Sequence, residues 1–177
     1  GLFSALAAAC AIVLMFYAAR AILSALADET MRNGVAAIAA LALAFAPAFW
    51  SQATIAEVNA FSALLVASLL VVLFSMHARR LELAALIFGV GAAHHFTILL
   101  LAPMAWWLLK DATWTRAQII RAVALFSAPL FFYLALPLRA ATNPPINWGD
   151  PQTLENFWWV VTAAPYQQYL FGLAPSA

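Results

Sequence analysis

The stretch "LAALIFGVGAAHHFTILLLAPMAWWLL", Leu83–Leu109, contains no Asp, Glu, Lys or Arg and holds two adjacent histidines, His94 and His95. As one helix it would run about 40 Å at 1.5 Å per residue, long for a hydrocarbon core of about 30 Å. As two short helices that break near Gly89, Gly91 and the histidine pair, it enters and returns as a hairpin. The two readings send the later charges to opposite sides of a bilayer, so the charges decide between them. With the hairpin, Arg20, Arg32, Arg79, Arg80, Lys110, Arg116 and Arg121 share one side and Arg139 is alone on the other. One long helix splits the same cations five against three. Lys and Arg collect on the cytoplasmic side of membrane proteins, and that rule selects the hairpin.

A bilayer is the right solvent to assume. Hydrophobic residues make up 67% of the chain and charged ones 8%, with a mean hydropathy of +0.94. A soluble domain carries about 25% charged residues, so this chain has too little polar surface to cover itself in water. The net charge of +1 leaves no basic patch for a nucleic acid. The single Cys10 excludes an internal disulfide framework and a cysteine-based zinc site. The opening at Gly1, without a Met or a basic leader, reads as the middle of a longer protein.

The remaining spans follow from where charges interrupt apolar runs. Leu2 to Ala19 forms the first, Gly34 to Trp50 the second with Pro47 near its end, and Val58 to Met76 the third, closed by "HARR". The last runs from about Ala117 to Leu136 and stops at Pro137. The expected fold is an all-α, polytopic transmembrane bundle of about six hydrophobic helices, two of them short, over residues 1–138. The charge rule places Gly1 outside the cytoplasm, so an odd number of spans is expected ahead of it.

Residues 139–177 differ in composition: "RAATNPPINWGDPQTLENFWWVVTAAPYQQYLFG" is rich in Pro, Asn, Gln and aromatics. Asp150 before Pro151 reads as a helix N-cap with proline at the first helical position. Leu154, Phe157, Trp158 and Val161 then fall on one face, with Trp159 at its flank. This predicts an outward-facing external segment with a short amphipathic helix at the membrane surface.

Polar groups on the outward side are few: Gln52, Glu57 and Asn59 at one helix mouth, the two histidines at the hairpin tip, and Arg139, Asn147, Asp150 and Glu155 near the end. Ionisable groups at membrane depth are costly and face a cavity or a partner. The histidines either bond carbonyls freed by the helix break or donate to an anionic group such as a phosphate. A metal site fits poorly, because neighbours on a helix point about 100° apart and no HxxxH or HxxE spacing accompanies them. Glu57 is either a helix-mouth carboxylate in headgroup water or one that orients a ligand. Arg139 either anchors to lipid phosphate or forks onto a bound phosphate.

Three stretches, "FWSQATIAEVNA", "GAAHHFTILLL" and "LPLRAATNPPINWGDPQTLENFWWVVTAAPYQQYLF", resemble in order and spacing the protein O-mannosyltransferase-like branch of the GT-C membrane glycosyltransferases. The likeness runs from about Phe49 to Phe171, with the Asn-Trp-Gly-Asp-Pro and His-His-Phe-Thr runs its most specific parts. It implies a large helical membrane domain in the bacterial inner membrane or an ER-type membrane, with its active face periplasmic or lumenal. The implied reaction moves a sugar, mannose-type, from a polyprenyl-phosphate donor to an acceptor hydroxyl on a protein. The superfamily's catalytic carboxylate lies in its first outward loop, which would precede Gly1, so this stretch alone is expected to be inactive. On this resemblance His94, His95 and Arg139 are the candidates for the donor phosphate, Gln52, Asn147, Trp148 and Asp150 for the sugar or acceptor pocket, and Glu57 for an accessory carboxylate. No cofactor or metal is predicted. The competing readings are a transporter or flippase for a lipid-linked or anionic substrate, since broken helices also mark transporters, and a non-catalytic scaffold subunit.

Overall fold

In the computed structural model, residues 1–26, 28–55, 58–75 and 77–167 are described, and no strand occurs among them. The longest helix, α1 (Leu2–Ile22), follows from a run with no internal Gly or Pro and no charge before Arg20. Its buried residues Ser4, Ala7, Ala8, Ala11 and Ala18 form a seam of small side chains. Such a seam allows close backbone approach, the usual means of helix packing in a membrane. Asp28 caps α2 (Glu29–Ala44) by accepting a 2.8 Å hydrogen bond from the Thr30 amide. Pro47 then opens α3 (Pro47–Thr54), bent 60° from α2, because a proline is favoured only where no intrahelical N–H is needed.

The chain next forms α4 (Asn59–Phe74) and α5 (Arg80–His94), runs through a 3-10 segment (Phe96–Leu101), and continues as α6 (Ala102–Leu109) and α7 (Arg116–Leu130). These helices belong to a first compact unit, Gly1–Leu130. Their directions can be read from contacts. The Gly1 ammonium donates to the Thr54 carbonyl at 3.0 Å, and the Phe3 and Phe61 rings lie 5.6 Å apart, so α1 and α4 start at one end and run together. Leu69 and Leu73, late in α4, share a buried cluster with Ala84, early in α5, and with Ala105 and Leu109 in α6. Hence α5 returns along α4, and α6 returns along α5. Arg121 on α7 meets Glu82 on α5 at 3.1 Å, and Gly89 further along α5 meets Phe126, so these two run the same way.

The alternation puts Gly1, Gln52, Asn59, His94 and His95 at one end of this unit. Arg20, Arg32, Arg79, Arg80, Lys110, Arg116 and Arg121 stand at the other. The fold-back itself departs from expectation in its position. Gly89 and Gly91 lie inside α5, and the helix breaks only at His95, whose backbone is extended at φ −158° and ψ 123°. Both glycines serve close approach instead: a Cβ at position 89 would fall 2.9 Å from the Phe126 Cα, and one at position 91 would fall 3.0 Å from the Ile98 Cβ.

The count of spans is also smaller than about six. Among the described residues, two helical stretches are long and apolar enough to cross a membrane, Leu2–Ala25 and Arg116–Ala140, or up to three if α2 and α3 make one bent span. The physical reason is length. With 16 and 15 residues, α4 and α5 reach about 24 and 22 Å, short of a core of about 30 Å. Polar junctions at Ser75–Arg80 and at the histidine pair cut them off.

The second unit, Phe131–Ala177, is described to Gln167. It contains a 3-10 turn (Phe131–Leu134), α8 (Ala135–Ala140), α9 (Leu154–Val161) and α10 (Ala164–Gln167). Asp150 is not the cap expected from the sequence. The α9 cap is Thr153, whose hydroxyl accepts from the Asn156 amide at 3.2 Å. Asp150 has φ +38°, whereas a cap needs the extended region.

Replacing Gly89 by Ala should lower the stability of the detergent-solubilised protein by roughly 1–3 kcal/mol, because the new methyl meets backbone that must shift. Gly34→Ala is the control: a Cβ there meets nothing within 4 Å, and the change should stabilise by roughly 0.5–1 kcal/mol. Thermal unfolding of the two variants side by side measures the difference.

Candidate functional site

In the first unit, the end bearing the histidines is assembled from the starts of α1 and α4 and the end of α5. His94 Nε2 lies 3.1 Å from the Val58 carbonyl. A carbonyl only accepts, so Nε2 is the donor. The Ser62 hydroxyl donates to the same oxygen at 3.1 Å. The imidazole stands edge-on to Phe61, with centroids 4.9 Å apart at 87°. His95 caps the 3-10 segment: its Nδ1 is 3.0 Å from the Thr97 hydroxyl and accepts from the Thr97 amide at 3.5 Å. Gln52 accepts from Asn59 Nδ2 at 2.7 Å, fastening α3 to the first turn of α4.

His94 borders two hollows. One, of about 270 Å³, is lined by Ser62, His95, Thr97 and Ile98 among others. The second, of about 390 Å³, is lined by Gly1, Phe3, Ser4, Val58 and Phe61. Gln52, His94 and His95 therefore share one end of the unit. Glu57 lies outside the described residues. Sequence reasoning missed Phe61, the Val58 carbonyl and Thr97. Only Thr97 carried a local signal, since a hydroxyl two residues after a capping side chain is a common turn device.

In the second unit, Arg139, Asn147 and Trp148 line one hollow of about 280 Å³ with Leu136, Pro144 and Pro151. Asp150 organises the loop beneath it. One carboxylate oxygen accepts from Asn147 Nδ2 at 2.9 Å and from Gln152 Nε2 at 2.8 Å, and the Asp150 carbonyl accepts from Asn156 Nδ2 at 3.0 Å. Gly149 has φ +70°, and a Cβ there would fall 2.6 Å from Val160 Cγ2. Only glycine combines that dihedral with that approach. Trp148 in turn packs on Trp159 (5.2 Å) and Tyr166 (6.4 Å).

Arg139 is exposed and has no acidic partner among the described residues. It lines a mostly apolar hollow together with Asn147 and Trp148, and a guanidinium carries a fork of donors. This is chemistry suited to an anionic, sugar-bearing ligand: a bidentate cation for phosphate, and an aromatic face with an amide for a polyol. Gln152, Gly149, Trp159 and Tyr166 were not anticipated. The Gly-Asp pair between two polar residues was a turn signal that the N-cap reading overrode.

The sequence comparison supplies the family. Residues 1–118 match the family described as protein O-mannosyl-transferase TMEM260 N-terminal domain, and the chain belongs to that family. The match takes in the N-terminal helices ahead of Phe49, where the resemblance read from the sequence begins, and stops short of the Asn147–Pro151 run. No curated protein and no solved structure matches the chain.

Two measurements probe this geometry. With Cys10 replaced by Ala, a cysteine at His95 and one at Arg79 should react with a membrane-impermeant maleimide from opposite sides of sealed vesicles; labelling from one side contradicts the alternation. Asp150→Ala should speed amide exchange across residues 147–152 and cost on the order of 1 kcal/mol, as two side-chain donors lose their acceptor. Hydrogen-exchange mass spectrometry reads the first effect and thermal unfolding the second.

Proposed function

We propose that this chain is part of an integral-membrane glycosyltransferase of GT-C type. It transfers a mannose-type sugar from a polyprenyl-phosphate donor to a hydroxyl of a protein acceptor on the non-cytoplasmic face. Family membership supports the transferase class. The observation that carries the finer reading is the shared hollow of Arg139, Asn147 and Trp148.

In this reaction the acceptor oxygen attacks the anomeric carbon and the bond from that carbon to the phosphate oxygen breaks. The hydroxyl proton goes to a base, and the phosphate departs with increased negative charge. Stabilising that charge is a large part of catalysis, and Arg139 is the proposed donor for it. Asn147 and Trp148 position the sugar or acceptor, and Asp150 positions Asn147. In the first unit, considered by itself, His94 and His95 are proposed as donors toward a phosphate. His95 is the freer of the two, because it is exposed and His94 Nε2 is engaged by Val58. Gln52 contributes an amide to a sugar or acceptor, and Glu57 an accessory carboxylate.

The bend between α2 and α3 favours one other reading, transport of a lipid-linked substrate, since broken helices build transporter sites. Radiolabelled polyprenyl-phosphate sugars with peptide acceptors, supplied to the full-length protein in liposomes, separate the two. Transfer of label to peptide supports the transferase, whereas movement of intact donor across the bilayer without transfer supports transport. In that assay Arg139→Ala and His95→Ala should each reduce turnover by about tenfold or more, the scale of a lost charge-stabilising donor, with normal membrane insertion. Unchanged turnover removes the residue from the site.

A further inference from the structure

Within the first unit, α5, the 3-10 segment, α6 and α7 leave an apolar hollow of about 580 Å³. Leu81, Phe88, Leu99, Trp114, Ile119 and Phe126 are among its walls, and no polar side chain lines it. The hollow is elongated along the helices. Leu99 lies near the histidine end, and Leu81, Trp114 and Ile119 lie near the basic end.

The basic end is where its character changes. The Arg80 guanidinium lies 5.7 Å from the centroid of Trp114, a wall residue. Arg116 begins α7 one turn before Ile119 and is exposed, and Arg79 precedes Arg80. None of these three has an acidic partner among the described residues. Two further cations at this end, Lys110 and Arg121, are paired with Asp111 and Glu82.

An occupant must therefore be apolar along most of its length and anionic at one end. A helix of another protein fits badly. At a diameter of about 10 Å and a pitch of 5.4 Å it fills roughly 400 Å³ per turn, so the hollow would seat little more than one turn. A lipid chain with a phosphate at its head fits both features, and basic pockets between membrane helices are known to take such head groups.

We infer that this groove is a binding site for an anionic phospholipid, with an acyl chain between α5, α6 and α7 and its phosphate against Arg80 and Arg116. The inference is independent of the proposed transfer reaction, because neither the walls of the groove nor its two arginines include a residue assigned to that reaction.

The test uses the full-length protein in phosphatidylcholine vesicles containing a phosphatidylglycerol with a photoactivatable acyl chain. Irradiation should label peptides covering residues 81–88 and 114–126. Unlabelled phosphatidylglycerol should compete and added phosphatidylcholine should not. The double variant Arg80→Gln, Arg116→Gln should lose labelling by about fivefold for each arginine, the scale of one cation near a membrane surface. Labelling elsewhere, equal competition by both lipids, or an unchanged double variant overturns the inference. So does labelling of a further protein segment seated in the groove. The wild-type mapping stands even if the variant fails to insert.

Discussion

The cost of leaving charge in a hydrocarbon environment governs this molecule. Eight cations and seven acidic side chains serve the whole chain, and in the first unit the cations are collected at one end. Glu82 is the informative case: it is 4% exposed, one oxygen accepts from Arg121, and the other has no partner among the described residues. A buried carboxylate is tolerable only beside a compensating cation, and removing that cation is worth several kcal/mol in comparable sites. The pair holds α5 against α7 at their starts, and the contact of Gly89 with Phe126 does so further along. Parallel placement of these helices then follows, so the chain must come back through the 3-10 segment and α6 before α7 begins.

How much of this was legible depended on which force acted. Where charge decided, the sequence was informative: the fold-back between Leu83 and Leu109 follows from the distribution of eight cations without any knowledge of packing. Where steric contact decided, it was not. Gly89 and Gly91 looked like helix breakers because glycine weakens an isolated helix. Their value lies in contacts with Phe126 and Ile98, residues whose proximity no local pattern announces. The ends of α4 and α5 were better announced, since polar residues, Ser75–Arg80 and the histidine pair, stand where these helices stop.

The candidate residues divide in a similar way. Gln52, His94 and His95 were chosen for polarity in an apolar setting, and they gather at one end of the first unit. Arg139, Asn147 and Trp148 were chosen from an unusual composition, and they border one hollow of the second. Asp150 was read from its neighbour Pro151 as a helix cap. Its actual partners, Asn147 and Gln152, sit within three residues on either side, so the clue was present and a stronger-looking rule displaced it. The partners of His94 had no such clue, because a carbonyl and a phenyl ring more than thirty residues away carry no motif.

The hydrogen bond from His94 to Val58 has a mechanical consequence. The imidazole keeps a proton on Nε2, because the oxygen opposite can only accept. The bond is thus a one-way clasp between the first turn of α4 and the last turn of α5, 36 residues apart in the chain. Because the same ring borders both adjoining hollows, whatever loosened that clasp would reshape the two together.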